Sequence, residues 1–116
     1  MKRTTEEVWK HHCEAFAGVD LEAVMSDFAP DAIYISPGKS ILGKENIQAL
    51  YKQHFENLDT SSTTQITSET LQEGIVLFEW TAESATTRIT NGVDTFVIHD
   101  GLIVAQTMRC TVEIKM

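Results

Sequence analysis

The sequence of 116 residues is 42% hydrophobic and carries a formal net charge of −8, which is typical of one globular domain with a single core. That charge argues against nucleic acid and anionic membranes as partners, because binding to phosphates requires clusters of Lys and Arg. We find no apolar signal segment at the amino terminus and no run of membrane-spanning length. We therefore expect a single cytoplasmic domain over residues 1–116.

The first half of the chain is predicted to be mainly helical. Thr4 and Glu7 form a capping-box pattern that starts a first helix. Gly18 ends that helix, and Asp20 is expected to cap a second one. The predicted elements of this half are three helices and one short strand, over residues 5–17, 21–28, 43–58 and 32–36 respectively.

The second half is predicted to be a β-meander. A Thr-rich strand with few apolar residues comes first and is expected at a sheet edge. Asp100-Gly101 supplies the positive φ angles of a tight turn between the last two strands. The predicted strands cover residues 65–72, 75–84, 88–99 and 102–114. On the last strand, the residues expected to point inward are Val104, Met108, Cys110 and Val112.

Asp94 is the most informative residue of the meander. It shares one strand face with Phe96 and Ile98, since side chains two residues apart lie on the same side. A carboxylate on an apolar face is costly unless a partner or a function compensates. Asp94 is therefore predicted to hold a proton or to orient a base. The alternative is a structural Asp bonded to strand-end amides or to Arg88.

Helices followed by a meander predict an α+β domain, with the helices packed on one face of a curved, mostly antiparallel sheet. This order resembles the nuclear transport factor 2-like fold, and within it the SnoaL-like and ketosteroid isomerase-like proteins. The resemblance is carried by the segments AFAGVD (15–20), FAPDAI (28–33), LGKENI (42–47), GVDTF (92–96) and DGLI (100–103). It implies a conical domain that encloses a deep apolar pocket, and a homodimer formed through the outer face of the sheet.

The resemblance also suggests site residues. The general base of the ketosteroid isomerases falls on Ser36, which cannot remove a proton from carbon without a base of its own. The Tyr and Asp of their oxyanion site fall on His12 and Asp94. The chain is therefore not expected to be a true ketosteroid isomerase. His12 and Asp94 could instead form an acid–base dyad, or His12 could lie on the helix surface.

Several further residues are candidates for ligand contact. Tyr34 and Ser36 share a strand face, and the resemblance turns that face toward the pocket. Aromatic and Met side chains at these spacings line a pocket or simply form the core. The pocket candidates of this kind are Phe16, Phe55, Trp80, Phe96 and Met108.

No metal or cofactor is predicted. Cys13 and Cys110 lie far apart, as is typical of two buried free thiols, and no His, Cys, Asp or Glu pair has metal-ligand spacing. Two functions stay open. The first is a cofactor-independent acid–base enzyme (isomerase, cyclase or hydratase) acting on a small hydrophobic, oxygen-bearing molecule. The second is a non-catalytic ligand-binding or dimerisation module of the same fold.

Overall fold

The computed structural model describes residues 2–58 and 61–116. These residues form three helices, α1 Thr5–Ala17, α2 Leu21–Ser26 and α3 Lys44–Glu56. They also form six strands, β1 Phe28–Ser36, β2 Lys39–Leu42, β3 Thr63–Gln72, β4 Ile75–Glu83, β5 Thr87–His99 and β6 Leu102–Ile114.

The strands make one sheet in the order β2-β1-β6-β5-β4-β3. Neighbours pair antiparallel except β1 and β6, which run parallel. The predicted α+β class is confirmed, and so is the edge position of the Thr-rich strand β3. None of the helices within the described ranges is long and apolar enough to cross a membrane.

The first helix forms as its sequence predicts. The Thr4 side chain accepts from the backbone N–H of Glu7, and the Glu7 side chain accepts from that of Thr4, so both halves of the capping box are present. Asp20 caps α2 in the same manner by accepting from the Ala23 amide. Both caps satisfy amides that have no partner within the helix, and they fix where α1 and α2 begin.

The region around Pro30 differs from its prediction. The second helix ends at Ser26, and β1 already begins at Phe28 rather than at residue 32. The register between β1 and β6 shifts between Phe28 and Ile33, and such an irregularity accommodates a Pro that lacks an N–H. Strand β2 was not predicted, because it forms only by pairing back on β1 across the turn at Gly38, whose φ is 76°.

The turn between β5 and β6 has the predicted geometry, with φ of 53° at Asp100 and 77° at Gly101. A register shift at Val97/Ile98 then changes which side chains of β6 face inward. Ile103 becomes fully buried opposite Ile98. Val112, near the end of the strand, is exposed, so the expected burial of its side chain is wrong.

The core fills the space between the helices and the inner face of the sheet. Burying such side chains contributes roughly 1.5–3 kcal/mol each, so this layer holds α1, α2 and α3 on the sheet. Its largest completely buried apolar side chains come from both layers and are Val8, Val24, Phe28, Ile47, Val76 and Ile103.

Candidate functional site

Asp94 is buried at the centre of the inner sheet face, with only 7% of its surface exposed. Its neighbours across the strands are Phe78 on β4 and Met108 on β6. The Asp94 carboxylate accepts two hydrogen bonds, from Trp80 Nε1 to Oδ1 at 2.8 Å and from Gln106 Nε2 to Oδ2 at 2.9 Å. Both donors are neutral, so nothing bonded to Asp94 cancels its charge.

The alternative partner Arg88 is not bonded to Asp94. A register shift between Thr90 and Val93 interrupts the strand between them, and Arg88 instead pairs with Glu83 at 3.0 Å on the surface. The expectation that a structural Asp94 would bond to Arg88 or to strand-end amides is therefore wrong.

Trp80 is positioned by Gly92, which lies opposite it on β5. A Cβ at Gly92 would lie 2.5 Å from two carbons of the indole ring and 2.7 Å from the Trp80 carbonyl oxygen. The indole therefore lies directly against the β5 backbone, which aims its N–H at Asp94. Glycine is required here for this close approach.

The pKa of Asp94 is raised above its ordinary value. Burial is the largest cause, because it disfavours the charged carboxylate. The hydrogen bonds from Trp80 and Gln106, and the charge of His12, oppose the shift without cancelling it. Asp94 thus has the property expected of a group that exchanges a proton.

The hydrogen-bond chain continues from Asp94 into the core. Gln106 Oε1 accepts from the Tyr51 hydroxyl at 2.7 Å, and that hydroxyl lies 3.5 Å from His12 Nε2. Burial raises the pKa of Tyr51 so that its hydroxyl stays protonated at neutral pH. Among residues 2–58 and 61–116, no hydrogen bond joins His12 directly to Asp94, so the direct dyad is wrong. Tyr51 and Gln106 connect the two residues instead.

His12 is a core residue and not a surface one. It is only 4% exposed, and its ring packs against Phe96 with 5.1 Å between centroids and against Phe28 with 5.8 Å. Its Nδ1 has no hydrogen-bond partner, but lies 3.7 Å from Asp27 Oδ2. That distance is too long for a hydrogen bond and short enough for a charge contact.

Asp27 is fully buried and lies on the far side of His12 from Asp94 in this series of polar contacts. Arg3 Nη1 donates to it at 2.8 Å, and His11 Nδ1 lies 2.8 Å from its oxygens. Burial by itself would raise the pKa of Asp27, but the contacts with His12, His11 and Arg3 outweigh it and lower the pKa. Arg3 also donates to the Gly101 carbonyl at 2.9 Å, which ties the amino-terminal segment to the β5–β6 turn.

Tyr34 and Ser36 both lie on the inner face of β1, as predicted. Tyr34 is buried and Ser36 half-buried, whereas Ile33 and Ile35, on either side of Tyr34, point outward and are exposed. Burial raises the pKa of Tyr34, and a hydrogen bond with Ser36 partly opposes this. Strand pairing places Tyr34 beside Gln106, so a second hydroxyl lies near Asp94.

The aromatic and Met candidates divide into two groups. Phe96 is buried in the core, where its ring centroid lies 5.0 Å from that of Trp9. The others are only partly covered: Phe16, with 39% of its surface exposed, and the half-buried Phe55, Trp80 and Met108. Phe16 and Phe55 pack on each other, with ring centroids 5.4 Å apart, and join α1 to α3.

The sequence did not identify four residues of this group of polar contacts, namely Gln106, Tyr51, Asp27 and Arg3. Gln106 carried the same signal as Asp94, a polar residue at an inward position of an apolar strand face. Tyr51 follows the apolar stripe of α3 and has no pattern that marks its hydroxyl as a linker. Asp27 and Arg3 are brought together by the fold alone.

The remaining features are not bonded to Asp94. Surface hollows of about 430 Å³ and 390 Å³ lie at the start of α3 and between the ends of β3, β4 and β5, and neither is lined by a predicted site residue. Cys13 and Cys110 are free and half-buried rather than fully buried. Within the described part of the chain, no cluster of three or more His, Cys, Asp or Glu has the geometry to hold a metal.

Comparison with known proteins shows similarity over most of the chain. Residues 9–106 match the SnoaL-like domain, while the search of curated proteins finds no significant match. Among solved structures, the chain is similar to an NTF-2 like protein of unknown function from Burkholderia xenovorans LB400. The two are 21% identical with a TM-score of 0.77 over 96% of this chain and 85% of that one.

Two further similar structures have names that denote reactions. One is an LEH-like epoxide hydrolase of M. tuberculosis, with 19% identity and a TM-score of 0.72 over 93% of this chain and 84% of that one. The other is a steroid delta-isomerase from Pseudomonas aeruginosa, with 18% identity and a TM-score of 0.76 over 91% and 78%. At such identities the likeness establishes the fold, and a fold of this kind hosts more than one chemistry.

Proposed function

Since this chain belongs to the SnoaL-like domain family, we propose that it binds a small hydrophobic, oxygen-bearing molecule against the inner face of its sheet. We further propose that it acts on this molecule by acid–base chemistry without a cofactor. The observation that carries the proposal is the state of Asp94, a buried carboxyl with neutral hydrogen-bond donors and a raised pKa. A carboxyl in this state takes up and returns a proton closer to neutral pH than an exposed Asp does.

The residues around Asp94 suit an apolar molecule. Trp80 and Met108 flank it on the adjacent strands and are only half-buried. Phe16 and Phe55 lie on the facing helices α1 and α3 and are also incompletely covered. A molecule that fits between these groups would bury their remaining apolar surface at roughly 25 cal/mol per Å². Tyr34 and Ser36 would then offer hydroxyl groups to its oxygen atoms.

The class of substrate is suggested by two of the similar structures. Their names denote an epoxide hydrolase and a steroid isomerase, and both an epoxide and a steroid are apolar molecules with reactive carbon–oxygen chemistry. Ser36 occupies the position of the base in the isomerase-like pattern, so Asp94 is the ionisable group left to exchange a proton in this chain.

Exchange of carbon-bound hydrogen tests the acid–base role. The protein is incubated in D₂O with a cyclic enone, and deuterium incorporation next to the carbonyl is followed by NMR. Wild type is expected to accelerate exchange, and Asp94→Asn to lose that acceleration by about 10²-fold or more. Asp31→Asn, which removes an exposed carboxylate on β1, should leave the rate unchanged. Equal rates for wild type and Asp94→Asn would refute the role.

The non-catalytic alternative is favoured by one specific observation. Both oxygens of Asp94 already accept hydrogen bonds from the protein, as is common for a structural carboxylate. If the protein is only a binding module, addition of the enone or a matching epoxide should quench Trp80 fluorescence. It would show neither deuterium exchange nor epoxide opening at any pH between 5 and 9.

We also propose that the outer face of the sheet forms a homodimer. Strand register aligns one apolar row across five strands, made of Ile75, Val97, Ala105, Ile33 and Leu42. Four of these side chains are large and exposed, and a continuous apolar patch of this kind is typical of a protein interface. A two-fold axis would pair the row with itself.

Sedimentation velocity at micromolar concentration tests the dimer. Wild type is expected to sediment as a dimer, and Ile33→Lys as a monomer, because the charge would lie within the apolar row. Leu58→Lys changes an exposed Leu beyond the end of α3 and should leave the dimer intact. A monomeric wild type would remove the proposal.

A further inference from the structure

The bonds between Asp94 and His12 have a defined direction. Trp80 Nε1 can only donate, so the Asp94 oxygen that it contacts is an acceptor in every protonation state. The Gln106 amide donates to the other oxygen and accepts from Tyr51. The Tyr51 hydroxyl has then given away its hydrogen, so its oxygen can only accept from Nε2–H of His12. This arrangement corresponds to ionised Asp94 and to a proton on His12 Nε2.

Protonation of Asp94 reverses that direction. The new proton must reside on Oδ2, because Oδ1 faces a permanent donor, and it then points at Gln106. An amide turned by 180° accepts this proton and donates to the Tyr51 oxygen. Tyr51 in turn donates to His12 Nε2, which must now be unprotonated. Each hydrogen bond along the bridge is kept in both arrangements, and both arrangements contain the same total number of protons.

We propose that Tyr51 and Gln106 are positioning residues that form a reversible hydrogen-bond bridge, through which Asp94 and His12 share one proton. When Asp94 is ionised, His12 carries protons on both nitrogens and faces the Asp27 carboxylate through Nδ1. When Asp94 is protonated, His12 is neutral with its remaining proton on Nδ1. Transfer between the two arrangements needs no net gain or loss of charge in the interior.

The surroundings of His12 support a proton on Nδ1, which both arrangements contain. Within the described ranges, Nδ1 is buried without a hydrogen-bond partner and lies 3.7 Å from Asp27 Oδ2. A bare nitrogen lone pair that faces a carboxylate oxygen would be repelled, whereas an N–H at the same place is attracted. Asp27 is also held by Arg3 and His11 at its other contacts, so it is fixed as an ionised partner.

The other ionisable groups near the bridge are identifiable. Tyr34, Tyr51, Cys110 and His12 interact electrostatically with Asp94. Glu69 accepts from Trp9 at 3.0 Å, and the Trp9 ring stacks on His12. Direct charge attraction would also make ionised Asp94 favour charged His12, so a test must separate attraction through space from the bridge.

Tyr51→Phe makes that separation, because it removes only a hydroxyl and leaves every charge in place. NMR titration of the unliganded protein would follow the ring nitrogens of His12 and the carboxyl carbon of Asp94 from pH 3 to 9. In wild type, each signal is expected to show a second inflection at the titration of the other residue. Tyr51→Phe should reduce both shared inflections to the small part that direct attraction supplies, and so should Gln106→Met, which breaks the bridge at its other member.

Tyr34→Phe is the matched control. Tyr34 is as buried as Tyr51 and also interacts with Asp94, but its hydroxyl bonds to Ser36 instead of joining the bridge. It should therefore keep both shared inflections. Shared inflections of wild-type size in Tyr51→Phe and Gln106→Met would assign the linkage to direct attraction and overturn the bridge. Equal loss in Tyr34→Phe would also overturn it. The titration needs no ligand, so its outcome is independent of the proposed function.

Discussion

Replacement of Asp27 by Asn tests the buried carboxylate that lies beyond His12, 3.7 Å from its Nδ1. Asp27 is completely buried, and its carboxylate oxygens lie 2.8 Å from Arg3 Nη1 and 2.8 Å from His11 Nδ1. Asn keeps one acceptor oxygen and replaces the other with an NH₂ group that faces a donor. We therefore expect Asp27→Asn to lose one charge-assisted hydrogen bond and to bury one unsatisfied amide.

The size of the effect follows from these two losses. A hydrogen bond to a charged group contributes about 1.5–3 kcal/mol, and an unsatisfied buried donor costs about 1–3 kcal/mol. Arg3 and His11 are partly exposed and can turn to water, which places the total near the lower end, at about 3 kcal/mol. With an unfolding entropy of roughly 0.24 kcal/mol/K for 116 residues, the midpoint temperature should fall by about 12 °C.

The stability difference between wild type and Asp27→Asn should also depend on pH, in a direction that the pKa shift defines. The folded-state pKa of Asp27 is lowered, so its stabilisation is complete above the unfolded value of about 3.9. It is lost as the pH falls below that value toward the folded pKa. Wild type and Asp27→Asn should therefore approach each other in stability below about pH 4.

Thermal unfolding followed by circular dichroism, from pH 3 to 8, measures both effects. The exposed Asp31 on the following strand β1 provides the control, and Asp31→Asn should stay within about 0.5 kcal/mol of wild type. The reasoning is refuted if Asp27→Asn melts within 2 °C of wild type at pH 7. It is also refuted if the difference is unchanged at pH 3.

Three further predictions follow from single residues. Gly92→Ala should lower the free energy of unfolding by about 1–3 kcal/mol and change Trp80 fluorescence, because the new Cβ would overlap the indole ring. Gly18→Ala, whose new Cβ would have its nearest contact at 3.4 Å, should change neither quantity. Equal unfolding midpoints for the two variants would contradict this. The raised pKa of Asp94 means that its ionisation opposes folding. Wild type should therefore lose stability relative to Asp94→Asn as pH rises from about 4 through that pKa, and a pH-independent difference in unfolding midpoints would be inconsistent with this. Burial raises the pKa of Cys13 to about 12. Alkylation of Cys13 at pH 8, measured by mass spectrometry, should therefore be about a thousandfold slower than that of a thiol of ordinary pKa. Modification at the ordinary rate would disprove this.

Local signals in the sequence determined several parts of this protein. The capping box at Thr4 fixed the start of the first helix, and Asp100-Gly101 fixed the last hairpin, because each depends on backbone conformations of neighbouring residues. The two-residue period of β5 placed Asp94 on an apolar face. The fold class followed from the order of these elements, and SnoaL-like membership was already evident as a resemblance.

The tertiary structure alone decided the partners of the polar residues. His12 was expected either to bond to Asp94 or to lie on the helix surface, but Tyr51 from α3 and Gln106 from β6 lie between the two residues. A register shift that could not be predicted from the sequence separates Arg88 from Asp94. Strand register and helix packing are set by the sum of many weak contacts between residues far apart in the chain. A residue's type and face can therefore be inferred locally, whereas the atom it bonds to depends on the whole fold.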